Sequence, residues 1–129
     1  MAQIKVYGLK EQLNPIKAGL SQVIHECVME ALALPPDKRF HRFFPLETED
    51  FYFSADRSPR YTIIEISLFE GRSIETKKRL IRLLFQRAKE ELNLAPADLE
   101  ITLTETPRCN WGIRGLPADE IGLNYKVEV

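Results

Sequence analysis

Shifted by 60 positions, the chain lies over itself. Lys17, Leu20, Glu30, Leu32, Leu34 and Pro36 meet Lys77, Leu80, Glu90, Leu92, Leu94 and Pro96. Ile4 and Val6 meet Ile64 and Ile66, and Val23-Ile24 meets Leu83-Leu84. The matches fall on apolar positions and on the Leu-x-Pro that closes each helical stretch. They describe two copies of one small supersecondary unit, and such a repeat constrains the fold before any single motif does. Repeat one spans residues 2–59 and repeat two 60–122, with a terminal strand expected over 123–129.

Each copy reads β-α-β. Residues 2–7 alternate, with Ile4 and Val6 on one side, as a short strand does. Gly8 to Glu11 reads as a turn, Asn14 as a helix N-cap, and Pro15 suits the first helical position, where its missing N–H costs nothing. Ile16, Leu20, Val23, Ile24, Cys27, Val28, Ala31 and Leu32 then recur at helical spacing until Pro35-Pro36 ends the stripe. Residues 39–46 are predicted as the second strand. The acidic, aromatic stretch 46–59 is expected to be a loop with a short hairpin around Phe51-Tyr52-Phe53. In the second copy, residues 61–69 form the most β-like segment. Ser73 caps a helix over 74–92, and Leu99 to Thr104 alternates as a strand. The expected fold class is α+β: two tandem β-α-β units in one four-stranded sheet, with both helices on one face.

Composition narrows the partners. A chain of 129 residues, 44% apolar and 29% charged, fits one domain with one core. A net charge of −1 argues against nucleic acid or an acidic membrane surface as the main partner. No apolar run reaches the roughly 20 residues of a membrane span, and the first residues lack a signal-peptide layout. Cys27 lies on an apolar helical stripe and Cys109 in a polar loop, so no disulfide framework is expected and a reducing cytoplasm is the natural setting. His25, on the polar flank of the first helix, and His41 have no Cys, Asp or Glu at ligand spacing, so no metal or other cofactor is expected.

Among the charged residues, Arg72 opens the second helix, where guanidinium, backbone N–H groups and helix dipole could face one carboxylate. The first copy has Gln12 at that offset, so the arginine is not duplicated. Trp111 and Arg114 share a loop with Gly112 and Gly115, a pairing in which the Trp walls a pocket while the guanidinium binds an anion. Arg39 and Arg42 read either as a polar sheet face or as groups reaching a neighbouring site.

The strand at the extreme amino terminus, the duplicated β-α-β units, the segment Phe69-Glu70-Gly71-Arg72-Ser73-Ile74-Glu75-Thr76-Lys77-Lys78 and the loop Asn110-Trp111-Gly112-Ile113-Arg114-Gly115 together resemble the tautomerase superfamily. Within it, they are most similar to the fused-repeat members around malonate semialdehyde decarboxylase. The resemblance implies a homotrimer with its site at the amino-terminal ends of parallel strands. It also implies an amino-terminal proline as proton carrier and arginines that hold a substrate carboxylate. Here residue 2 is Ala2. A methionine before alanine is normally removed, which would leave a primary amine. Arg72 matches the family arginine, whereas the decarboxylase's second arginine is replaced by Glu70. The decarboxylase aspartate after the first helix falls on Asp37 or Lys38. Trp111 can equally be buried against a neighbouring subunit. The resulting expectation is proton transfer by the Ala2 amine on a small 2-oxo or enol carboxylate anchored by Arg72 with Arg114. The alternative is a trimeric carboxylate-binding protein that has lost the chemistry. A third reading, a ferredoxin-like domain with an antiparallel sheet, needs no amino terminus in a pocket.

Overall fold

A computed structural model describes residues 1–129. Its main sheet runs β2-β1-β3-β4, formed by β1 (Ala2–Leu9), β2 (Phe40–Leu46), β3 (Thr62–Phe69) and β4 (Leu99–Thr106). β1 pairs β2 in parallel and β3 pairs β4 in parallel, while β1 and β3 meet antiparallel at the centre. Each parallel pair is joined by a long helix, α2 (Lys17–Leu32) or α3 (Ile74–Leu92). The register at the seam shows the duplication directly. Ile4 faces Ile66, Val6 faces Ile64, and Lys5 faces Glu65, so repeat-equivalent residues are exchanged about a local two-fold axis. Both long helices end on a left-handed residue 60 positions apart, Ala33 (φ 55°) and Asn93 (φ 53°).

The strand alternation decides which face is covered. Ile4, Val6, Ile64, Ile66 and Leu68 point to the helices and join Leu20, Ile24, Cys27, Leu80, Leu84 and Ala88 in one buried core. Burying side chains of this size supplies about 1.5–3 kcal/mol each, the dominant favourable term. The opposite face carries no helix. Phe40 and Phe44 are exposed on it, with Phe44 stacked on Tyr7 at 4.9 Å between ring centres. Arg42 is exposed on β2 opposite Lys5.

Four local expectations are corrected. The chain after β1 is a short helix, α1 (Lys10–Leu13); Asn14 closes it instead of capping the next, and α2 starts at Lys17 without a side-chain cap. No hairpin forms at Phe51-Tyr52-Phe53. A 3₁₀ turn (Thr48–Asp50) leads into a loop whose Phe51 and Phe53 rings pack on Tyr61, at 5.8 and 5.2 Å. Residues 123–129 are irregular despite their alternation and join neither sheet; only Val127 is buried among them. The sole additional pairing is a small hairpin, β5 (Gly112–Ile113) with β6 (Leu116–Pro117). His25, expected on a polar flank, is buried, and its Nε2 meets the Pro36 carbonyl at 2.9 Å.

His41 on β2 sits beside it, with its Nδ1 2.8 Å from Ser21 Oγ. Burial, then the charge of Arg39 and the nearby His25, lower the His41 imidazole from 6.5 to about 4. The unfolded imidazole therefore binds a proton before the folded one does. Stability should fall as pH drops from 6.5 towards 4, and a His41→Gln variant should lose less over that window in urea titrations at stepped pH.

Candidate active site

The antiparallel seam brings the start of β1 to the end where β3 and β4 finish and β2 begins. The final segment, residues 107–129, folds over that same end. Trp111 packs edge-on against Phe69, 4.8 Å between ring centres. Met1, Phe69, Ala118 and Val127 form a second, smaller buried cluster, against which Trp111, Ile113 and Tyr125 pack.

Four cations converge there. Arg72 is only 5% exposed. It donates from Nη1 to the Phe69 carbonyl at 3.2 Å, but its Nε and Nη2 are buried without a partner. Arg108 lies over the Phe69 ring and donates from Nη2 to the Ala118 and Ile121 carbonyls, leaving its buried Nε unpartnered. Lys38 and Arg114 line a cavity of about 320 Å³ with Met1, Asp37, Asn124 and Tyr125. A second hollow of about 300 Å³ shares Met1, Lys38 and Arg114 and adds Trp111 and Phe40. The α-amino group of Met1 is hydrogen-bonded to the Tyr125 hydroxyl. Burial, then the charges of Arg72, Lys38 and Arg108, lower this amine from 8.0 to about 4, so it is neutral at pH 7. Burial holds the Tyr125 phenol above its ordinary value against the pull of Arg72, Arg108 and Arg114.

Backbone geometry sets Arg72 in place. Gly71 adopts φ 131°, a conformation strained for residues with a side chain, and a Cβ there would lie 3.0 Å from Val127 Cγ1. Ser73 then caps α3 by accepting from Thr76 N. The helix amino terminus, which the sequence offered to a carboxylate, is not free for a ligand. Val129 O accepts from Ser73 N at 3.3 Å and from Thr76 Oγ1 at 2.8 Å, so the chain's own tail occupies it.

The remaining candidates separate. Lys38 and Asp37 both line the cavity, but the Lys38 side chain is 13% exposed and that of Asp37 69%, so lysine faces inward and aspartate sits on the rim. Arg114 occupies the tip of the β5–β6 hairpin at φ 52°, followed by Gly115 at φ 84°. Arg39 is drawn to α2, donating to Ser21 Oγ and Gln22 Oε1, and Arg42 stands on the uncovered sheet face; neither lines the cavity. Glu70 is exposed and also outside it. Ala2 is the first residue of β1, 2% exposed and paired with Leu68; the amine in the site belongs to Met1. Arg108 and Tyr125 were not singled out from sequence. Arg108 opens a 3₁₀ turn with no period to mark it, and Tyr125 sits in an alternating stretch read only as a strand; the fold returns both to the end of the sheet.

Comparison with known proteins gives the family and the fold. A family described as tautomerase enzyme matches residues 38–114, more than half of the chain, and the chain belongs to that family. It is 34% identical over 58 residues to a 2-hydroxymuconate tautomerase of Comamonas testosteroni, covering 45% of this chain and 92% of that protein. Its fold is similar to malonate semialdehyde decarboxylase, with TM-score 0.76, 16% identity and coverage of 86% and 89% of the two chains. It is also similar to a fused 4-OT solved as an asymmetric trimer, with TM-score 0.79, 19% identity and coverage of 91% and 96%.

Replacing Gly71 by Ala should destabilise the protein by about 1–3 kcal/mol through backbone strain and the displaced tail. Urea denaturation checks this, and the loss should exceed that of Gly112→Ala, where a Cβ meets nothing within 4 Å.

Proposed function

We propose that this protein is a tautomerase acting on a small 2-oxo or enol carboxylate. The reading is carried by the buried guanidinium of Arg72 and the half-buried one of Arg108, which retain buried N–H groups without a partner and whose charges both act on the Met1 amine. Leaving such donors unpaired costs about 1–3 kcal/mol each, more for charged groups, and a carboxylate would satisfy them with charge-assisted hydrogen bonds. Arg114 and Lys38 add positive charge nearer the opening, and Trp111 limits water on one wall.

The proton carrier in this reading is the α-amine of Ala2, freed when Met1 is removed. Loss of Met1 would vacate its place among Phe69, Ala118 and Val127 and give the substrate room beside Arg72. The burial and, after it, the cations that hold the Met1 amine neutral would also disfavour a protonated amine one residue further on. A neutral amine takes the enol proton, and the ammonium so formed returns it to carbon. We further propose a homotrimer assembled across the helix-free sheet face, where Phe40, Phe44, Tyr7 and Arg42 would meet sister chains. The alternative, a trimeric protein that binds the carboxylate without turnover, is favoured by the absence of proline at residue 2.

Intact-mass analysis should find a chain beginning at Ala2, and that form should ketonise phenylenolpyruvate or 2-hydroxymuconate faster than buffer does. Arg72→Lys should lower kcat/KM roughly 10- to 100-fold, the cost of one or two charged hydrogen bonds. A chain shown to lack Met1 that is stabilised by small carboxylates yet turns over neither substrate would leave only the binding protein.

A further inference from the structure

We propose that Tyr125 is a catalytic residue whose phenol donates a hydrogen bond to the substrate oxygen that changes between enol and ketone. This rests on the tautomerase reading. Three observations place the hydroxyl on the reacting atoms. It lines the 320 Å³ cavity together with Lys38 and Arg114. It is hydrogen-bonded to the Met1 α-amino group, the polar atom that stands where the substrate would enter, so a ligand oxygen in that place meets the same hydroxyl. And the charges of Arg72, Arg108 and Arg114 all act on its oxygen, so a negative charge growing beside this half-buried hydroxyl is met by nearby cations.

The residue is held firmly for such a task. Its ring packs between the main core and the Met1–Phe69–Ala118–Val127 cluster. Val127 anchors the tail two residues later, and Val129 O is tied to Ser73 and Thr76. The only acid lining the cavity, Asp37, is at the rim with its side chain 69% exposed. In the forward step the Ala2 amine takes the O–H proton, the oxygen's electron pair forms the C=O bond, and the C=C pair takes a proton from the ammonium at carbon. Tyr125 keeps its own proton and donates to the oxygen while its charge is greatest. No oxidation occurs and no co-reactant is consumed.

The test pairs activity with binding. Oxalate, a planar dianion, places an oxygen where the enolate oxygen would be; propionate offers the carboxylate alone. With Met1 shown to be absent, Tyr125→Phe should weaken oxalate binding about tenfold by calorimetry, the equivalent of one lost hydrogen bond. Propionate affinity should be unchanged. The same variant should lower kcat about 10- to 100-fold with KM nearly constant, the signature of an interaction made in the transition state. In the wild type, the carbon-13 signal of the Tyr125 ring carbon bearing the hydroxyl should shift with oxalate and not with propionate. Oxalate affinity unaltered by the substitution, or a ring signal that ignores oxalate, overturns the assignment whether or not the wild type is active. An inert wild type with the oxalate discrimination intact would remove the enzymatic reading and the catalytic role with it, leaving Tyr125 as the donor to a bound ligand oxygen.

Discussion

The antiparallel seam between β1 and β3 is the constraint on which the rest depends. Two parallel β-α-β units can be joined edge to edge in several ways, but here their first strands pair in the centre, with Lys5 opposite Glu65 on a local two-fold axis. This puts the start of β1 against the finish of β3 and β4. The amino terminus is thereby buried beside the turn that carries Arg72, at a distance of some 70 residues along the chain. A parallel union of the same units would have separated the two.

That seam also creates two ends that are equivalent in backbone and unlike in chemistry. At one end the chain begins, Arg72 precedes α3, and residues 107–129 close over the site. At the other, Tyr61 occupies the place of Met1, with its hydroxyl bonded to Glu100 at 2.9 Å, and Gln12 stands where Arg72 would be. The polypeptide runs through that second end, so no amine can be there. Loop residues Phe51 and Phe53 stack on Tyr61 and fill the space with aromatic surface. The cationic cluster therefore forms only at the end where Met1 and Arg72 lie.

The electrostatics of that site contrast with the protein as a whole. The net charge is −1, yet Arg114 and Lys38, the latter paired with Asp37 at 3.7 Å, line one small cavity, and the charges of Arg72 and Arg108 act on the amine beside it. Collecting cations in a partly buried place costs stability, because each loses hydration and repels the others. Other charges show the opposite arrangement: Glu30 bridges Arg79 and Arg87 between the helices, and Lys77 pairs with Glu105 at 2.7 Å. Buried arginines left with open donors are expected where an anion completes them.

Much of this was written in the linear pattern. The alternation of residues 2–7 and 61–69 and the helical spacing of residues 16–32 and 74–92, with the 60-residue self-match, pointed to β1, β3, the long helices and the covered face, because burial of apolar side chains depends on local spacing; the observed elements run 2–9, 62–69, 17–32 and 74–92. Arg72 was legible too, since a strand, a glycine and a helix cap bracket it. Local spacing is silent about chain segments that lack a period. Residues 123–129 alternate like a strand yet join no sheet, and Arg108 and Tyr125 come close to the amino terminus only because the tail folds back on the end of the sheet. The choice of Lys38 over Asp37 was likewise a matter of which side chain the loop after α2 turns inward. Sequence determined the units and one arginine; tertiary structure decided which distant, unpatterned groups met the amino terminus, because that meeting is a property of how the strands join and not of any one strand.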